Sequence, residues 1–268
     1  MQNSRWSWIN LASFARRIQL RITRQGANAL GLLALGVAFA LPVPRALARG
    51  GSCPTGMQRV EGKFCIDAYE ASLVELLEGG LTRPHPPYEP VDGKRVRAVS
   101  RRGRFPQGYI SRNEAEAACE ASHKRLCRDR EWVQACKGPA ATRYPYGNAR
   151  REGVCNDTGA VSPLNHYFGA ITSNVDPYTW EAMNDPRLNQ LAGALVRSGE
   201  KRQCKSGYGI YDMVGNLHEW TTAAAGTFRG GYYLDTKING EGCEYQTVAH
   251  NATYHDYSTG FRCCADTD

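Results

Sequence analysis

Ten cysteines limit what this 268-residue chain can fold into more than any other feature of its sequence. They all lie beyond residue 50, and none forms paired Cys-x-x-Cys motifs at the spacing of a structural zinc site. An even number of cysteines in an exported chain is typical of a disulfide framework. We therefore expect five disulfides and no free thiol. The ten residues are Cys53, Cys65, Cys119, Cys127, Cys136, Cys155, Cys204, Cys243, Cys263 and Cys264.

The first 48 residues predict export. They contain six arginines and no acidic residue, followed by an apolar run over 29–43 and a small-x-small pattern at 46–48. The apolar run has about 15 residues, short of the ~20 that span a bilayer, so we favour a cleaved signal peptide over a retained anchor. We expect a mature chain that begins near Arg49, has no stable membrane span, is periplasmic or extracellular, and forms one domain over 49–268.

Net charge gives no support to a nucleic-acid partner. The whole chain carries a formal charge of +7, but six of its basic residues belong to the leader. Without the leader, 27 basic residues stand against 26 acidic ones. A chain so close to neutral does not imply a basic face for a partner.

Residues 53–108 predict a hairpin followed by irregular structure. A cysteine stands at each end of 53–65 and Gly62 lies near the expected turn, which is typical of a short hairpin. The strand is expected to continue over 64–73. Residues 79–108 are rich in Gly, Pro and Arg, and indicate an irregular surface loop.

Two helices are predicted next. Ser111 and Glu114 have the spacing of a capping box, and the helix that they begin places small residues on one face. These residues are Ala115, Ala118, Cys119 and Ser122. A second helix should begin near Asp129, with a weak cap at Arg128, and end at Gly138. Its buried face is expected to contain Trp132, Val133 and Cys136.

The second half of the chain predicts loops and short strands. Residues 148–202 are dominated by Asn, Asp, Gly, Pro and Ser. Because a structureless loop of this length is uncommon in a domain, we expect a metal ion or a disulfide to hold it. Short apolar strands with Gly turns follow residue 207. Two helices among many short strands make the fold class α+β.

Residues 207–221 contain two carboxylates on either side of a tight turn. Asp212 and Glu219 flank Gly215 and Asn216, which both tolerate a positive φ. Carboxylates together with inward-pointing carbonyl groups are the oxygen ligands that Ca²⁺ prefers. The alternative is an ordinary surface turn with two solvated acids, and we favour calcium.

Five segments together resemble the formylglycine-generating enzyme, or sulfatase-modifying factor, family. They occur in the order of the family and cover the chain from about Phe64 to Cys264; they are 124–132, 144–148, 207–221, 228–233 and 260–263. The resemblance implies a variant of the C-type-lectin-like fold. It also implies calcium ligands: the carboxylates of Asp212 and Glu219 and the backbone carbonyl groups of Gly215 and Leu217.

The resemblance implies a second calcium site and several disulfides. The second site begins at Asn156 and Asp157, and its distal acid is either Asp176 or Asp185. Cys53–Cys65 follows from the hairpin spacing and Cys119–Cys263 from the family. The other expected pairs, one arrangement among many that ten cysteines allow, are Cys127–Cys264, Cys136–Cys243 and Cys155–Cys204.

The catalytic members of this family bind Cu⁺ with two cysteines and use O₂ to oxidise a substrate cysteine to formylglycine. Here Asp235 takes the first cysteine position, and its hard oxygens do not suit Cu⁺. Cys243 matches the second position only with two extra residues between them. We expect Cys243 in a disulfide, and we expect packing or surface roles for His218, His250 and His255.

Three functions remain open at this point. The first is an exported binding or maturation module, stabilised by calcium and disulfides, that does not oxidise its partner. Its partner would be an extracytoplasmic protein or a small ligand, met by loops around Asp235, Tyr245 and 148–206 of a monomer. The second is a formylglycine-generating oxidase with a rearranged copper site that uses Cys243. The third is a structural surface protein, and fold alone does not separate it from the first.

Overall fold

The computed structural model describes residues 52–172, 176–248 and 250–267. The predicted signal peptide, residues 1–48, lies outside these ranges. Within them, no helix combines the length and the apolar character needed to cross a membrane. The strands are β1 (Met57–Val60), β2 (Phe64–Asp67), β3 (Ala71–Leu76), β4 (Thr82–Pro84), β5 (Val96–Ser100), β6 (Arg125–Leu126), β7 (His218–Trp220), β8 (Phe228–Arg229), β9 (Gln246–Thr247), β10 (Thr259–Gly260) and β11 (Cys263–Asp266).

The predicted hairpin over 53–65 is confirmed. Strands β1 and β2 pair antiparallel, from Met57 opposite Asp67 to Val60 opposite Phe64, with Gly62 in the connecting turn. The late strand β11 adds to β2 and then to β6, giving the sheet order β1-β2-β11-β6. Residues from both ends of the domain therefore lie in one sheet.

A second sheet corrects the prediction of an irregular loop over 79–108. Strands β4 and β5 both pair antiparallel with β3, in the order β4-β3-β5. The sequence pattern was hidden because arginine alternates with small apolar residues. Val96 and Ala98 are buried, whereas Arg97 between them is only half-buried. Successive side chains of β5 therefore lie on opposite faces of the sheet, as in an ordinary strand.

The two predicted helices are confirmed as α1 (Arg112–Glu120) and α2 (Asp129–Lys137). The capping box of α1 is present, and Ala115, Ala118 and Cys119 are buried as expected. Helix α2 has no side-chain cap from Arg128; instead Glu131 accepts the backbone N–H of Arg128 at 3.0 Å. Val133 is only partly buried, since it lies at the edge of the core.

The long segment after residue 148 contains more regular structure than predicted. It forms α3 (Pro163–Phe168), α4 (Trp180–Met183) and a 3₁₀ turn at Leu188–Gln190. Thr179 caps α4 through its side chain, and proline begins α3. Polar composition concealed these elements because each is only one or two turns long.

All ten cysteines are paired, as predicted from their even number. The pairs are Cys53–Cys65, Cys119–Cys263, Cys127–Cys264, Cys136–Cys243 and Cys155–Cys204. These are the pairs that the sequence analysis gave.

Adjacent cysteines of β11 lead to different parts of the core. Cys264, with Cys127 and Trp132, lies in one cluster of buried residues. Cys263, with Cys119, lies in another cluster around Trp220. Alternate direction along a strand explains this arrangement, since neighbouring side chains point to opposite faces. A third sheet, β10-β7-β8-β9, brings the segment 207–221 against both clusters.

Candidate functional site

The turn in 207–221 is the tight turn that the sequence predicts. Asp212, Gly215 and Asn216 all have positive φ, at 57°, 77° and 60°. Glycine is required at 215 because a Cβ there would lie 2.2 Å from the carbonyl oxygen of Asn156. The turn thus packs directly on the start of the long loop, and Asn216 N–H donates to the same carbonyl oxygen at 2.9 Å.

The carboxylate of Glu219 is fully buried and already has strong partners. Arg262 donates to both of its oxygens at 2.6 Å, and Trp132 Nε1 donates to Oε2 at 2.6 Å. Arg262 is itself completely buried and also donates to the carbonyl oxygens of Asp67 and Tyr211. A bidentate guanidinium–carboxylate pair of this kind is a strong and directional contact.

Glu70 is a third buried carboxylate that the sequence analysis did not single out. Its Oε2 accepts from Asn216 Nδ2 at 2.7 Å and from Ser198 Oγ at 3.2 Å, while Oε1 has no hydrogen-bond partner among the described residues. Burial raises the pKa of Glu70 well above its usual range, and the charges of Asp212 and Glu219 raise it further. The sequence feature that could have pointed to a further buried acid is Arg262 in the 260–263 motif, since a buried guanidinium requires acidic partners.

Asp212 shares this buried environment. Its Oδ2 accepts the backbone N–H of Gly199 at 2.6 Å. Burial raises the pKa of Asp212 to about 7, although that hydrogen bond and Arg262 act in the opposite direction. Asp212, Glu70 and Glu219 therefore surround a single guanidinium. We call these four residues the buried charge cluster.

At the predicted calcium ligands Asp212, Gly215, Leu217 and Glu219, the structure places a buried guanidinium against one of the carboxylates. Arg262 donates to both oxygens of Glu219 and is therefore already a positive partner of this acid. Calcium binding stays a prediction that chelation tests.

The predicted second site lies beside the same turn. Asn156 Nδ2 donates to the carbonyl oxygen of Ala194 and to Asn216 Oδ1. The Asp157 carboxylate is buried, lies 3.0 Å from Arg150 Nη2, and makes no hydrogen bond of good geometry. Burial raises the pKa of Asp157.

The two acids proposed to complete the second site have other partners. Asp176 accepts the backbone N–H of Tyr178, and Asp185 pairs with Arg187. Within the described residues, no group of three or more His, Cys, Asp or Glu side chains is arranged to hold a metal ion.

The position of the family's copper cysteines holds a hydrogen-bonded carboxylate and a disulfide. Asp235 Oδ2 accepts from Tyr245 Oη at 2.8 Å, and Oδ1 accepts the backbone N–H groups of Lys237 and Ile238 at 2.8 and 3.0 Å. Cys243 is fully buried and joined to Cys136. With every cysteine paired, the chain offers no two thiolates for Cu⁺, so the residues present do not fit copper.

The histidines pack among aromatic rings, as the sequence analysis expected. His218 is buried between Phe228, Tyr232 and Tyr245, with ring centroids 4.5, 4.8 and 5.5 Å away. Burial lowers the pKa of His218 to about 3, which keeps it neutral at physiological pH. His250 stacks on Tyr254 at 3.7 Å.

Comparison with known proteins identifies the class to which this fold and this turn belong. The profile of the sulfatase-modifying factor enzyme 1-like domain matches residues 54–267. The chain therefore belongs to this family. The α+β class and the sulfatase-modifying-factor fold, a variant of the C-type-lectin-like architecture, are thereby confirmed.

The curated relatives include both active and inactive proteins by name. The formylglycine-generating enzyme of Mus musculus is 25% identical over 194 residues, covering 63% of this chain and 46% of the relative. That of Streptomyces coelicolor is 26% identical over 197 residues, covering 63% and 55%. The inactive C-alpha-formylglycine-generating enzyme 2 of Bos taurus is 26% identical over 173 residues, covering 60% and 50%. The chain spans about half the length of these relatives.

Solved structures with a related chain path are more distant. The major tropism determinant P3c variant has 16% identity and a TM-score of 0.45, covering 81% of this chain and 54% of its own. PvdO from Pseudomonas aeruginosa has 11% identity and a TM-score of 0.41, covering 76% and 80%.

Proposed function

We propose that this protein is a non-oxidising member of the sulfatase-modifying factor family that works outside the cytoplasm as a binding or maturation module. The observation that carries the proposal is the Cys136–Cys243 disulfide. The copper chemistry of the family rests on two thiolates, which are soft ligands suited to Cu⁺. Here a carboxylate takes one position and a disulfide sulfur takes the other.

The contacts of Asp235 favour a structural role in its loop instead of a role in metal binding. Three hydrogen bonds from Tyr245, Lys237 and Ile238 converge on its carboxylate. They shape the loop over 235–248 at the place where an oxidase would bind its metal. A carboxylate with three donors is stabilised in its charged form and is a poor ligand for a soft metal ion.

Family membership is compatible with either outcome. The relatives include proteins named formylglycine-generating enzyme and one named as inactive. The alternative for this chain is an oxidase with a rearranged copper site. That alternative requires reduction of a buried disulfide before any copper binds.

Exposed apolar side chains favour a binding role for the loops named in the sequence analysis. Ile238 and Val248 belong to the loop that Asp235 shapes, and Ile171, Tyr178 and Trp180 belong to the segment 148–206. Large apolar residues exposed on loops are typical of surfaces that meet a partner. A single domain with five disulfides is also consistent with an oxidising, extracytoplasmic compartment.

The deciding experiment is an activity assay on the oxidised chain from residue 49 onwards. The protein is incubated with Cu⁺, O₂ and a peptide that contains Cys-x-Pro-x-Arg, and mass spectrometry measures the aldehyde. The Streptomyces coelicolor formylglycine-generating enzyme serves as the positive control. We expect no aldehyde and no stoichiometric copper.

Aldehyde formation would contradict the proposal, and two matched variants would then locate its source. Cys136→Ser and Cys243→Ser break the same disulfide. Only the second removes the thiol that the alternative oxidase needs. Activity that survives Cys136→Ser and is lost in Cys243→Ser would establish the oxidase.

A further inference from the structure

The outer face of the sheet β4-β3-β5 forms an arginine-lined cleft. The cleft has a volume of about 380 Å³, within the range of small-molecule sites. Its floor includes Ser72 and Val74 of β3 and Val99 of β5. These residues alternate with the buried Ala71, Leu73 and Ala98, so they point away from α1 and the core.

Four arginines line this cleft. They are Arg97, Arg101, Arg104 and Arg197, and no acidic residue is among the described residues that line the cleft. Glu75, in the same sheet, is already paired with Arg83 and His85 at 2.7 and 2.9 Å. Four positive charges in one concave site repel one another unless an anion lies between them.

One of the arginines is held in place by its neighbours. Arg197 lies over the ring of Phe105 at 4.3 Å and donates to the carbonyl oxygen of Gly103 at 3.0 Å. It comes from the segment 148–206, almost 100 residues after the other three. Arg97, Arg101 and Arg104 make no ion pair within the described part of the chain. The fold therefore orients one guanidinium and leaves three with free donors.

Among the described residues that line the cleft there are four arginines and no lysine, which narrows the class of ligand. The planar guanidinium donates two parallel hydrogen bonds to phosphate or carboxylate oxygens, and an ammonium group does not. Four guanidinium groups offer more hydrogen-bond donors and more positive charge than a single phosphate or carboxylate group can pair with. The volume of about 380 Å³ limits the ligand to a small molecule.

We propose that this cleft binds a small molecule that carries two or more phosphate or carboxylate groups. The site is distinct from the position of the family's copper cysteines. The four arginines also give residues 49–268, whose net charge is close to zero, a locally basic surface. Net charge does not report how the charges are distributed. The binding step needs no covalent chemistry.

The test uses isothermal titration calorimetry on the oxidised chain with two probes. Sodium pyrophosphate and citrate represent the phosphate and carboxylate classes, and orthophosphate is the single-group control. We expect one site per chain for at least one of the two probes, with an affinity at least tenfold above that for orthophosphate. The affinity should fall as salt is raised.

Matched variants separate the cleft from general charge. Arg97→Gln with Arg101→Gln removes two cleft guanidiniums that form no ion pair with any described residue, and should weaken binding at least tenfold. Arg59→Gln with Arg130→Gln removes the same charge from exposed positions elsewhere and should change it less than twofold. Equal weakening by both double variants, or no binding of either probe, would overturn the proposal. Binding of an acidic polysaccharide such as heparin without either probe would overturn it too.

Discussion

Replacing Arg262 by methionine tests the buried charge cluster directly. The substitution keeps apolar volume but removes both hydrogen bonds to Glu219 and leaves the carbonyl oxygens of Asp67 and Tyr211 without their donor. Glu70 and Asp212 also lose the only guanidinium of the cluster. Removing one partner of a buried ion pair costs about 3–5 kcal/mol because the other charge is left uncompensated. For a domain of this size that is a fall in Tm of roughly 6–20 °C.

The assay is urea and thermal unfolding at pH 7 with disulfides intact, with EDTA and with millimolar calcium. The calcium predicted at Asp212 and Glu219 should make the parent less stable in EDTA than in calcium, since an ion that binds only the folded state stabilises it; equal stability in both solutions would contradict that site. Arg130→Met, an exposed arginine of α2, is the control and should unfold like the parent. The reasoning about Arg262 is refuted if Arg262→Met unfolds like the parent in both solutions.

Three further predictions concern stability and processing. Replacing Cys155 and Cys204 by serine opens a loop with a sequence separation of 49 residues. It should lower the free energy of unfolding, measured in urea, by about 3–4 kcal/mol, and an unchanged unfolding midpoint would contradict this. Burial raises the pKa of Asp212 to about 7, so its stabilising effect is fully present below pH 4 and is lost as pH rises to 7. The parent should therefore lose roughly 2–4 kcal/mol relative to Asp212→Asn over this range, and parallel stability curves would refute this. N-terminal sequencing of exported protein should start near Arg49, and an intact Met1 would count against cleavage.

Much of the fold could be predicted because its signals are local. The capping box at Ser111 and Glu114 fixes a helix start within four residues, and Gly62 marks a turn between two cysteines. Strand β5 was missed since Arg97, inside the strand, and the arginines that flank it masked a two-residue alternation. The short helices α3 and α4 were missed because polar composition outweighs the pattern over so few residues.

The candidate site was harder to predict because its partners are distant in sequence. Residues 207–221 point to Glu219 as a calcium carboxylate, but the sequence did not reveal its guanidinium partner, Arg262, or its indole donor, Trp132. The motif alone does not show whether a carboxylate will pair with a guanidinium or coordinate a calcium ion. Likewise, the near balance of 27 basic and 26 acidic residues beyond the leader did not reveal that four arginines line one cleft.

The positions of the adjacent cysteines of β11 determine the order in which disulfides can form in this chain. Their partners, Cys119 and Cys127, precede them by 144 and 137 residues. In the proposed extracytoplasmic location, both partners would meet an oxidising compartment before residues 263 and 264 arrive, and they lie eight residues from each other. A bond between them would form faster than the native pairs, since short loops close more readily.

Thiol–disulfide exchange must then resolve such a bond once residues 263 and 264 arrive. Each of the two core clusters then receives its own disulfide, Cys127–Cys264 in one and Cys119–Cys263 in the other. We therefore expect correct pairing to need disulfide isomerisation as well as oxidation.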